Sequence, residues 1–355
     1  MAKDKYSISP DELVTIQKIC VNCCGLIGDA FIRVPILEAL RKKFPDSKLT
    51  VIVDPGSKIA VENHPAIDEI YTMKRTESKH KNLFIHLRKA FILRKERYDL
   101  FINLYSGGSS YLATFLINAR IRLGFDHTKK LRFTNNLLVP VPSFTGNWTK
   151  ALGAMLMPLG ITSSDINRDT NYYCKIEDQQ LVNPLFSNKE VKYVGVNLGA
   201  GSIKRRWPVS NFVALIEKIG EVYDIIPVVF FNPGKESYLA DEFHKSYSGN
   251  TIKLKGYSFS QEAAALERCD VLLTADTALM HLAIGVKTPT FVFFLQTSPE
   301  CVRPDKNLFF ASMSEERKKL NKEELLEIYT DLPLEQAISD FMEFSQNSLH
   351  WAQKT

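Results

Sequence analysis

The fold is decided by the stretch Cys24-Gly25-Leu26-Ile27-Gly28-Asp29-Ala30-Phe31-Ile32-Arg33-Val34-Pro35, which joins an apolar run to a helical pattern. Two glycines three residues apart allow the backbone a tight turn without a Cβ. Apolar residues then recur at helical spacing through Leu40, so Asp29 lies where a strand passes into a helix. In open α/β sheets, ligands bind at this edge, outside the carboxyl ends of the strands. Its position makes Asp29 a candidate functional carboxylate.

Length and composition predict two domains. The chain has 355 residues and 45% hydrophobic content, and a domain takes roughly 150 residues. We place the first domain at residues 1–175, a polar linker at 176–190 and the second domain at 191–330. A terminal helix at 331–355 is free to pack back on the first domain. No signal peptide is recognisable, and no apolar segment approaches the ~20 residues of a membrane helix, which favours a cytoplasmic protein.

The cysteines indicate reduced thiols. Six in so long a chain do not make the dense disulfide framework of a small secreted domain. Cys20 and Cys23 have the spacing of half a zinc site, but no second Cys or His pair at suitable spacing completes it. We therefore interpret Cys20, Cys23 and Cys24 as small core residues.

Short apolar runs followed by turn residues alternate with helical patterns in both halves. This alternation predicts a parallel sheet with right-handed crossovers, that is, α/β doubly wound domains. The predicted strands are Thr15–Cys23, Leu49–Val53 and Leu100–Leu104 in the first half, and Tyr193–Leu198, Ile225–Phe231, Val271–Thr274 and Thr290–Leu295 in the second.

Charge is divided unequally between the halves. Residues 1–175 hold 26 Lys and Arg against 16 Asp and Glu, whereas the remainder holds 19 against 24. The first half therefore favours an anionic partner, which charge alone leaves open among nucleic acid, a lipid surface and a phosphorylated small molecule.

Within the first half, the segment from Lys74 to Arg97 carries nine Lys or Arg against two Glu. Apolar residues at helical spacing, from Leu83 to Phe91, predict a basic amphipathic helix there. This helix suits anionic head groups or phosphorylated sugars. It equally suits a solvated helix packed on its domain by that apolar stripe.

The second half opens with a cationic loop. A predicted strand passes directly into Gly199-Ala200-Gly201-Ser202-Ile203-Lys204-Arg205-Arg206-Trp207-Pro208 and then a helix. Small residues let backbone amides approach a phosphate, and the cations and the helix dipole attract it. The loop has neither the Gly-Lys-Ser/Thr ending of a Walker motif nor Gly-x-Gly-x-x-Gly, so it predicts a phosphate site without naming the ligand.

A second strand-to-helix junction is Ala275-Asp276-Thr277-Ala278-Leu279-Met280-His281-Leu282-Ala283. Thr277 can offer its hydroxyl and amide to a diphosphate at the helix start, and Asp276 can accept from sugar hydroxyls. From the local sequence alone, Asp276 is equally well a helix cap and His281 a packed helix residue.

Taken together, these stretches resemble the family-9 glycosyltransferases, the bacterial ADP-heptose:lipopolysaccharide heptosyltransferases. Residues 28–35 are similar to the family's opening Gly-Asp and Pro motif, and residues 199–208 to its Gly-Ala-Ser and Lys-Arg-Trp-Pro loop. Residues 276–283 resemble its Asp-Thr-Gly and His-Leu-Ala segment, and residues 297–300 its late Thr-Ser-Pro-Glu. Four motifs occur in the family's order across both halves.

The resemblance implies a GT-B architecture, two Rossmann-like doubly wound domains facing a central cleft, and an inverting reaction. Asp29 matches the family's general base, which takes the proton of the acceptor hydroxyl. The implied donor is ADP-heptose, with no metal and no cofactor, because no Asp-x-Asp pair lies at a strand end and cations bind the phosphates instead. The implied donor-phosphate residues are Ser202, Lys204, Arg205, Arg206, Thr277 and Ala278, and the sugar and ribose residues are Asp276, Glu236 and His281.

The implied acceptor is an anionic lipopolysaccharide inner core, reached from the cytoplasmic face of the inner membrane by peripheral contact. Its expected contacts are Gly28, Lys79, Lys81, Arg120 and Arg122. A nucleic-acid partner is not expected, since no aromatic stacking platform or nucleic-acid motif is recognisable.

The chain departs from the family pattern at three places, the first being Arg205, which stands at the position of the family's phosphate-binding Lys. Ala278 stands where the family usually has Gly, and Leu295-Gln296 where it usually has Gly-Pro. A different nucleotide sugar, or a protein or capsule acceptor, is therefore an alternative. A sugar-nucleotide-binding protein without catalysis is a second alternative, which the presence of Asp29 argues against.

Overall fold

The computed structural model describes residues 8–73, 79–105, 114–126, 134–142 and 146–354, together with their side chains except those of 79–83, 86 and 322. The chain forms two compact units, Met1–Thr170 and Asn171–Thr355. The sequence analysis placed the boundary later, with a linker at 176–190. That segment instead contains a helix of unit 2, whose Gln179 Nε2 donates to Glu267 Oε2 at 2.7 Å.

Unit 1 is a six-stranded, all-parallel sheet with strand order β3-β2-β1-β4-β5-β6. Its described strands are β1 (Lys18–Asn22), β2 (Lys48–Val53), β3 (Glu69–Thr72), β4 (Leu100–Asn103), β5 (Ile121–Phe125) and β6 (Leu137–Val139). Its described helices are α1 (Pro10–Val14), α2 (Ile27–Lys43), α3 (Lys79–Arg94) and α4 (Trp148–Gly153).

Unit 2 repeats this plan with the order β12-β11-β10-β7-β8-β9, again all parallel. Its strands are β7 (Lys192–Asn197), β8 (Ile225–Phe230), β9 (Ile252–Lys253), β10 (Val271–Ala275), β11 (Thr290–Phe293) and β12 (Phe309–Ser312). Its helices are α5 (Ile176–Val182), α6 (Val209–Val222), α7 (Ser237–Ser246), α8 (Phe259–Leu266), α9 (Ala278–Gly285), α10 (Glu315–Lys318), α11 (Lys322–Glu327) and α12 (Leu334–Asn347). The predicted α/β class, with two Rossmann-like doubly wound units, is confirmed.

In each unit the strand order reverses between its first and fourth strands, and a side-chain hydrogen bond joins those strands near their carboxyl ends. In unit 1, Asn22 Nδ2 donates to Asn103 Oδ1 at 3.0 Å. In unit 2, Asn197 Nδ2 donates to Thr274 Oγ1 at 2.8 Å. Such reversal points are where doubly wound sheets bind ligands, so these two pairs mark the edge at which each unit's site lies.

The terminal helix α12 packs on unit 2. Phe341 lies with its ring centroid 5.4 Å from that of Phe291 in β11, and Ala337 and Phe344 are buried in the same core. The sequence left open that this helix packs on the first domain. Its apolar face instead packs on the aromatic layer over β11 and β12.

The cysteines are core residues in this fold. Cys20, Cys23 and Cys24 are buried thiols that take part in no disulfide, as the sequence predicted. Burial raises the pKa of the Cys23 thiol to about 12, so it stays protonated at neutral pH. Across the described parts of the chain, no helix combines the length and the apolar character needed to cross a membrane.

Candidate active site

The acidic turn of unit 1 places Asp29 in the first turn of α2, directly beyond the carboxyl end of β1. Its Oδ2 accepts the Leu26 backbone N–H at 2.8 Å, which caps the helix and fixes the carboxylate. The residue is exposed, and the capping hydrogen bond uses only Oδ2. Asp29 is thus both oriented and accessible, as a catalytic base must be.

Gly25 lets the backbone approach this carboxylate. A Cβ at residue 25 would lie 2.7 Å from Asp29 Oδ2 and 2.8 Å from Arg33 Nη1, distances that real Cβ contacts do not show. The glycine is held from β2's exit: its N–H donates to Asp54 Oδ2 at 2.7 Å, and its carbonyl accepts from Ser57 Oγ at 2.8 Å. The turn is therefore fixed on both sides.

Arg33 is a component of this turn that the sequence analysis did not single out. It is buried, and its Nη1 donates to the carbonyls of Cys23 at 2.8 Å and Cys24 at 2.7 Å. Its Nη2 reaches Leu104 O, beyond β4, at 3.4 Å. One cation thus joins the exits of the first and fourth strands beneath Asp29. The available signal was a lone cation on an otherwise apolar helix face.

The cationic loop of unit 2 follows β7, as predicted. Arg205 Nη1 donates to Asp276 O at 3.1 Å and lies 3.3 Å from Asp276 Oδ2. Arg206 Nε donates to Ala200 O at 3.2 Å, and its Nη1 donates to Tyr238 Oη at 2.7 Å. Lys204 is exposed, and Ser202 is half-buried before it. The loop's cations therefore lie at one edge of the unit 2 sheet.

The start of α9 meets this loop. Thr277 caps the helix: its Oγ1 accepts the Met280 N–H at 3.4 Å and the Asn197 Nδ2 at 3.0 Å. Both lone pairs are then used, and its hydroxyl proton is left for Thr274 Oγ1, 3.3 Å away, or for a ligand. With Arg205 joined to Asp276, the structure brings the two predicted donor segments together.

Asp276 is held from a third element. Its Oδ2 accepts the hydroxyl of Thr297 at 2.7 Å, in the loop that follows β11. That loop is itself fixed by Arg317, which is fully buried. Arg317 donates to the carbonyls of Leu295 at 3.1 Å and Thr297 at 2.8 Å.

Arg317 also reaches the carbonyls of Ile328 and Leu325, at 2.8 Å and 2.5 Å. Burial lowers its pKa to about 10, which still leaves it charged at neutral pH. Nothing in the sequence singles out Arg317, because its four partners are backbone carbonyls, which have no sequence signature.

Glu236 lies against the cationic loop that follows β7. A Cβ at Gly199 would lie 2.0 Å from Glu236 Oε2, so the glycine makes room for this carboxylate. Glu236 Oε2 accepts the Asn232 N–H at 3.0 Å, and Oε1 lies 3.5 Å from Arg206 Nη2. Burial, together with the charge of Glu236, raises the pKa of nearby Glu262 to about 8. The structure thus brings Glu236 to the cationic loop of unit 2, although its match to the family pattern was loose.

The remaining predicted residues lie apart from these clusters or outside the description. Arg120 precedes β5, at the amino edge of the sheet, where its Nη2 donates to Thr15 Oγ1 at 2.8 Å. Arg122 donates from Nε to Thr134 O at 2.8 Å and from Nη1 to Ala119 O at 2.9 Å. Neither is brought to the turn of Asp29, because residues at the start of a parallel strand lie at the opposite edge from those after its end.

His281 is buried within α9. Gly28 lies in the first turn of α2, beside Asp29. The side chains of Lys79 and Lys81 fall outside the described residues. Among the residues that the structure does describe, no group of three His, Cys, Asp or Glu side chains is placed to hold a metal ion.

Comparison with known proteins decides the family. The model of glycosyltransferase family 9 (heptosyltransferase) matches residues 86–329, more than half of the chain. The chain belongs to this family. The match contains the cationic loop and the α9 junction. The prediction of a glycosyltransferase is therefore confirmed.

Relatives and solved structures agree with this family-9 assignment. Lipopolysaccharide heptosyltransferase 3 of Escherichia coli is 25% identical over 290 residues, which cover 79% of this chain and 84% of that protein. A family-9 glycosyl transferase from Veillonella parvula DSM 2008 shares the fold with a TM-score of 0.81 at 21% identity, over 94% of this chain and 97% of the other. The E. coli ADP-heptose LPS heptosyltransferase II does so at 0.72 and 17% identity, over 93% and 99%.

Proposed function

We propose that this glycosyltransferase moves a heptose from ADP-heptose to a lipopolysaccharide inner-core acceptor with inversion at the anomeric carbon. The observation that carries the proposal is the cluster of Arg205, Asp276 and Thr277. In this cluster a cation, a carboxylate that can accept from sugar hydroxyls and the start of a helix meet at one sheet edge. The E. coli protein of the same fold is named for ADP-heptose, which supports this donor.

In the proposed reaction, the acceptor hydroxyl oxygen attacks the anomeric carbon as Asp29 takes its proton. The new glycosidic bond forms while the bond from that carbon to the diphosphate oxygen breaks, and ADP leaves with the electron pair. Oδ2 of Asp29 is occupied by the Leu26 amide, so Oδ1 receives the proton. A single base and no covalent intermediate suit an inverting transfer.

Charge on the leaving diphosphate is stabilised by protein groups in this proposal. Arg205 contributes a planar fork of N–H donors, and Lys204 an exposed ammonium. The Thr277 hydroxyl supplies a further hydrogen-bond donor. The first backbone amides of α9 lie at the positive end of the helix dipole. No metal or cofactor is required by this scheme. Donors fixed before the reaction stabilise developing charge without reorganisation during it.

Asp276 and Glu236 are proposed as ligands of the sugar and of the ribose. Asp276 is only slightly exposed, with a side-chain accessibility of 12%, and is fixed by Thr297 and Arg205. A carboxylate held from two sides discriminates among sugar hydroxyl positions, because a misplaced hydroxyl leaves it without a partner. Gly28, beside Asp29, is proposed to admit the acceptor.

We propose that the protein acts at the cytoplasmic face of the inner membrane, in peripheral contact with it, because the proposed acceptor is lipid-linked and anionic. The excess of Lys and Arg in residues 1–175 supports such an acceptor.

The proposal is tested by incubating the protein with a panel of nucleotide sugars and truncated lipopolysaccharide cores, followed by mass spectrometry of the products. We expect one heptose to be added from ADP-heptose and none by Asp29→Asn. Transfer from another nucleotide sugar, or to a protein or capsule glycan only, would contradict the donor or the acceptor. ADP binding without transfer to any acceptor would indicate a binding protein.

A further inference from the structure

The outer face of α3 carries aromatic rings where a solvated helix would carry polar groups. Phe84 is 68% exposed, Phe91 56% and Ile92 44%. The sequence leaves open whether the apolar stripe that contains Phe84 and Phe91 packs on the domain or meets an anionic partner. In the structure Ala90 and Leu93 are buried in the core of unit 1, whereas Phe84 and Phe91 are exposed.

Helix geometry explains the difference. At about 100° per residue, Phe91 lies only some 20° around the helix from Phe84, while Leu93 lies on the opposite side. The helix therefore has two apolar sides, one of them covered by the sheet. Arg88, which is exposed, lies about 40° around the helix from Phe84, and Lys95, also exposed, directly follows the last residue of the helix. We call Phe84, Arg88, Phe91, Ile92 and Lys95 the α3 outer stripe.

The charged residues of α3 itself have one sign. The helix Lys79–Arg94 contains no Asp or Glu. The next acid along the chain, Glu96, lies 3.9 Å from Lys18 and is thereby partly neutralised. Phenyl rings with flanking cations on one face suit the boundary between acyl chains and anionic head groups.

We propose that the α3 outer stripe docks the protein on an anionic lipid bilayer, with Phe84 and Phe91 inserted and Arg88 and Lys95 at the phosphates. This inference rests on the membrane contact in the proposed function and gives that contact a surface. Phe84 and Phe91 are separated by about 10 Å along the helix, seven residues at 1.5 Å each. A fluid bilayer accepts any spacing, whereas successive bases of a single strand need platforms closer together.

The experiment is co-sedimentation of the full chain with phosphatidylcholine vesicles, with and without phosphatidylglycerol. We expect binding only to the anionic vesicles, weakened by salt. Phe84→Ser with Phe91→Ser should weaken it by roughly tenfold per ring, because each ring loses the apolar area that it buries. The matched control is Val14→Ser with Met157→Ser, which removes two exposed apolar residues from other elements of unit 1 and should change nothing.

A charge arm separates attraction from insertion. Arg88→Glu with Lys95→Glu should abolish the preference for anionic vesicles. Lys42→Glu with Lys245→Glu changes the net charge equally at exposed positions elsewhere and should retain the preference. Thermal melting of each variant establishes that it is folded.

Unchanged vesicle binding by the Phe84 and Phe91 double variant would overturn the inference. So would a concentration-dependent dimer lost in that variant, which would make a second copy the occupant, or binding to single-stranded nucleic acid but not to vesicles. Transfer to a truncated, soluble acceptor should be unaffected in the double variant. Transfer without vesicle binding would overturn this inference alone, whereas vesicle binding without transfer would overturn the proposed function alone.

Discussion

The two units share one topology but carry different side chains at the same edge of their sheets. Both sheets reverse their strand order between the first and fourth strands, and both carry their candidate residues just beyond the carboxyl ends of those strands. In unit 1 the first strand is followed by an exposed acid, Asp29. In unit 2 it is followed by a run of cations, Lys204 to Arg206. The strand order therefore fixes where a site lies, and the loop residues decide what it does.

The units also share a structural device. Each has a buried arginine that binds carbonyls of the loops at its functional edge. Arg33 holds those of Cys23, Cys24 and Leu104, while Arg317 holds four in unit 2, including those of Leu295 and Thr297. Within the described chain neither forms an ion pair with a carboxylate, and the Nε of each is buried without a hydrogen-bond acceptor. A buried guanidinium, with its several N–H donors, can thus hold several loop carbonyls in place at once.

The largest expected effect divides the units by function. Asp29→Asn should lower turnover by about two or more orders of magnitude, because a general base is lost while the amide oxygen can still accept the Leu26 N–H. ADP binding, a property assigned to unit 2, should be retained. Steady-state kinetics and calorimetry measure the two quantities. Asp46→Asn, an exposed acid of the same unit, is the control, and near-normal turnover in Asp29→Asn would remove this residue as the base.

Arg317→Met tests the shared device. Four carbonyls lose a charged donor within a buried site, so the free energy of unfolding of unit 2 should fall by about 3 kcal/mol or more. Denaturant titration measures it, with Arg303→Met, a more exposed arginine, as control. At temperatures where the variant is folded, the KM for the donor should rise more than kcat falls, since Thr297 no longer holds Asp276 firmly. An unchanged donor KM would limit Arg317 to stability.

Arg205→Ala tests the site of unit 2, as Asp29→Asn tests that of unit 1. Loss of charged donors to the diphosphate should weaken ADP and donor binding by roughly tenfold to a hundredfold. The dissociation constant from calorimetry checks this, and Lys245→Ala, an exposed cation elsewhere in unit 2, should leave it unchanged. An unaltered constant in Arg205→Ala would place the phosphates elsewhere.

The smallest effect concerns pH. Because burial raises the pKa of Glu262 from 4.5 to about 8, the native state binds its proton more tightly than the unfolded state does. This stabilisation is complete below about pH 4.5 and is lost as the pH rises to about 8. The free energy of unfolding of Glu262→Gln should therefore match that of the parent at low pH and exceed it near pH 8.5, where the parent buries an ionised carboxylate. Melting curves at both pH values decide this, with Glu242→Gln, which is exposed, as control.

Much of the fold was predictable because its signals are local. The carboxyl ends of β1, β7 and β10 are each followed by a turn and then a helical pattern. These local patterns predict that Asp29, Arg205 and Thr277 lie just beyond a strand end, as the structure shows. The α3 outer stripe was not predictable from periodicity, because apolar residues occupy two sides of that helix. A spacing pattern does not say which side the sheet covers.

Other features depended on distant contacts. Arg33 binds Leu104, which lies 71 residues further along the chain, and no local pattern connects the two. Arg120 and Arg122 were predicted as acceptor ligands from charge alone. Their place at the start of β5 puts them at the other edge of the sheet, a consequence of strand direction that composition does not contain. The segment 176–190 was assigned to a linker because a surface helix such as α5 has a polar composition.

The environment of Trp207 gives the donor site an optical property. Its indole stacks on Phe293 with ring centroids 4.4 Å apart and donates its N–H to Leu332 O at 3.0 Å, and it directly follows Arg206 in the chain. The chain contains three tryptophans, of which Trp148 is the exposed one and Trp351 lies near the end of unit 2. Trp207 is therefore a native fluorophore packed next to the loop that we propose to bind phosphate, so binding of a ligand to that loop can be tested by fluorescence in the unlabelled protein.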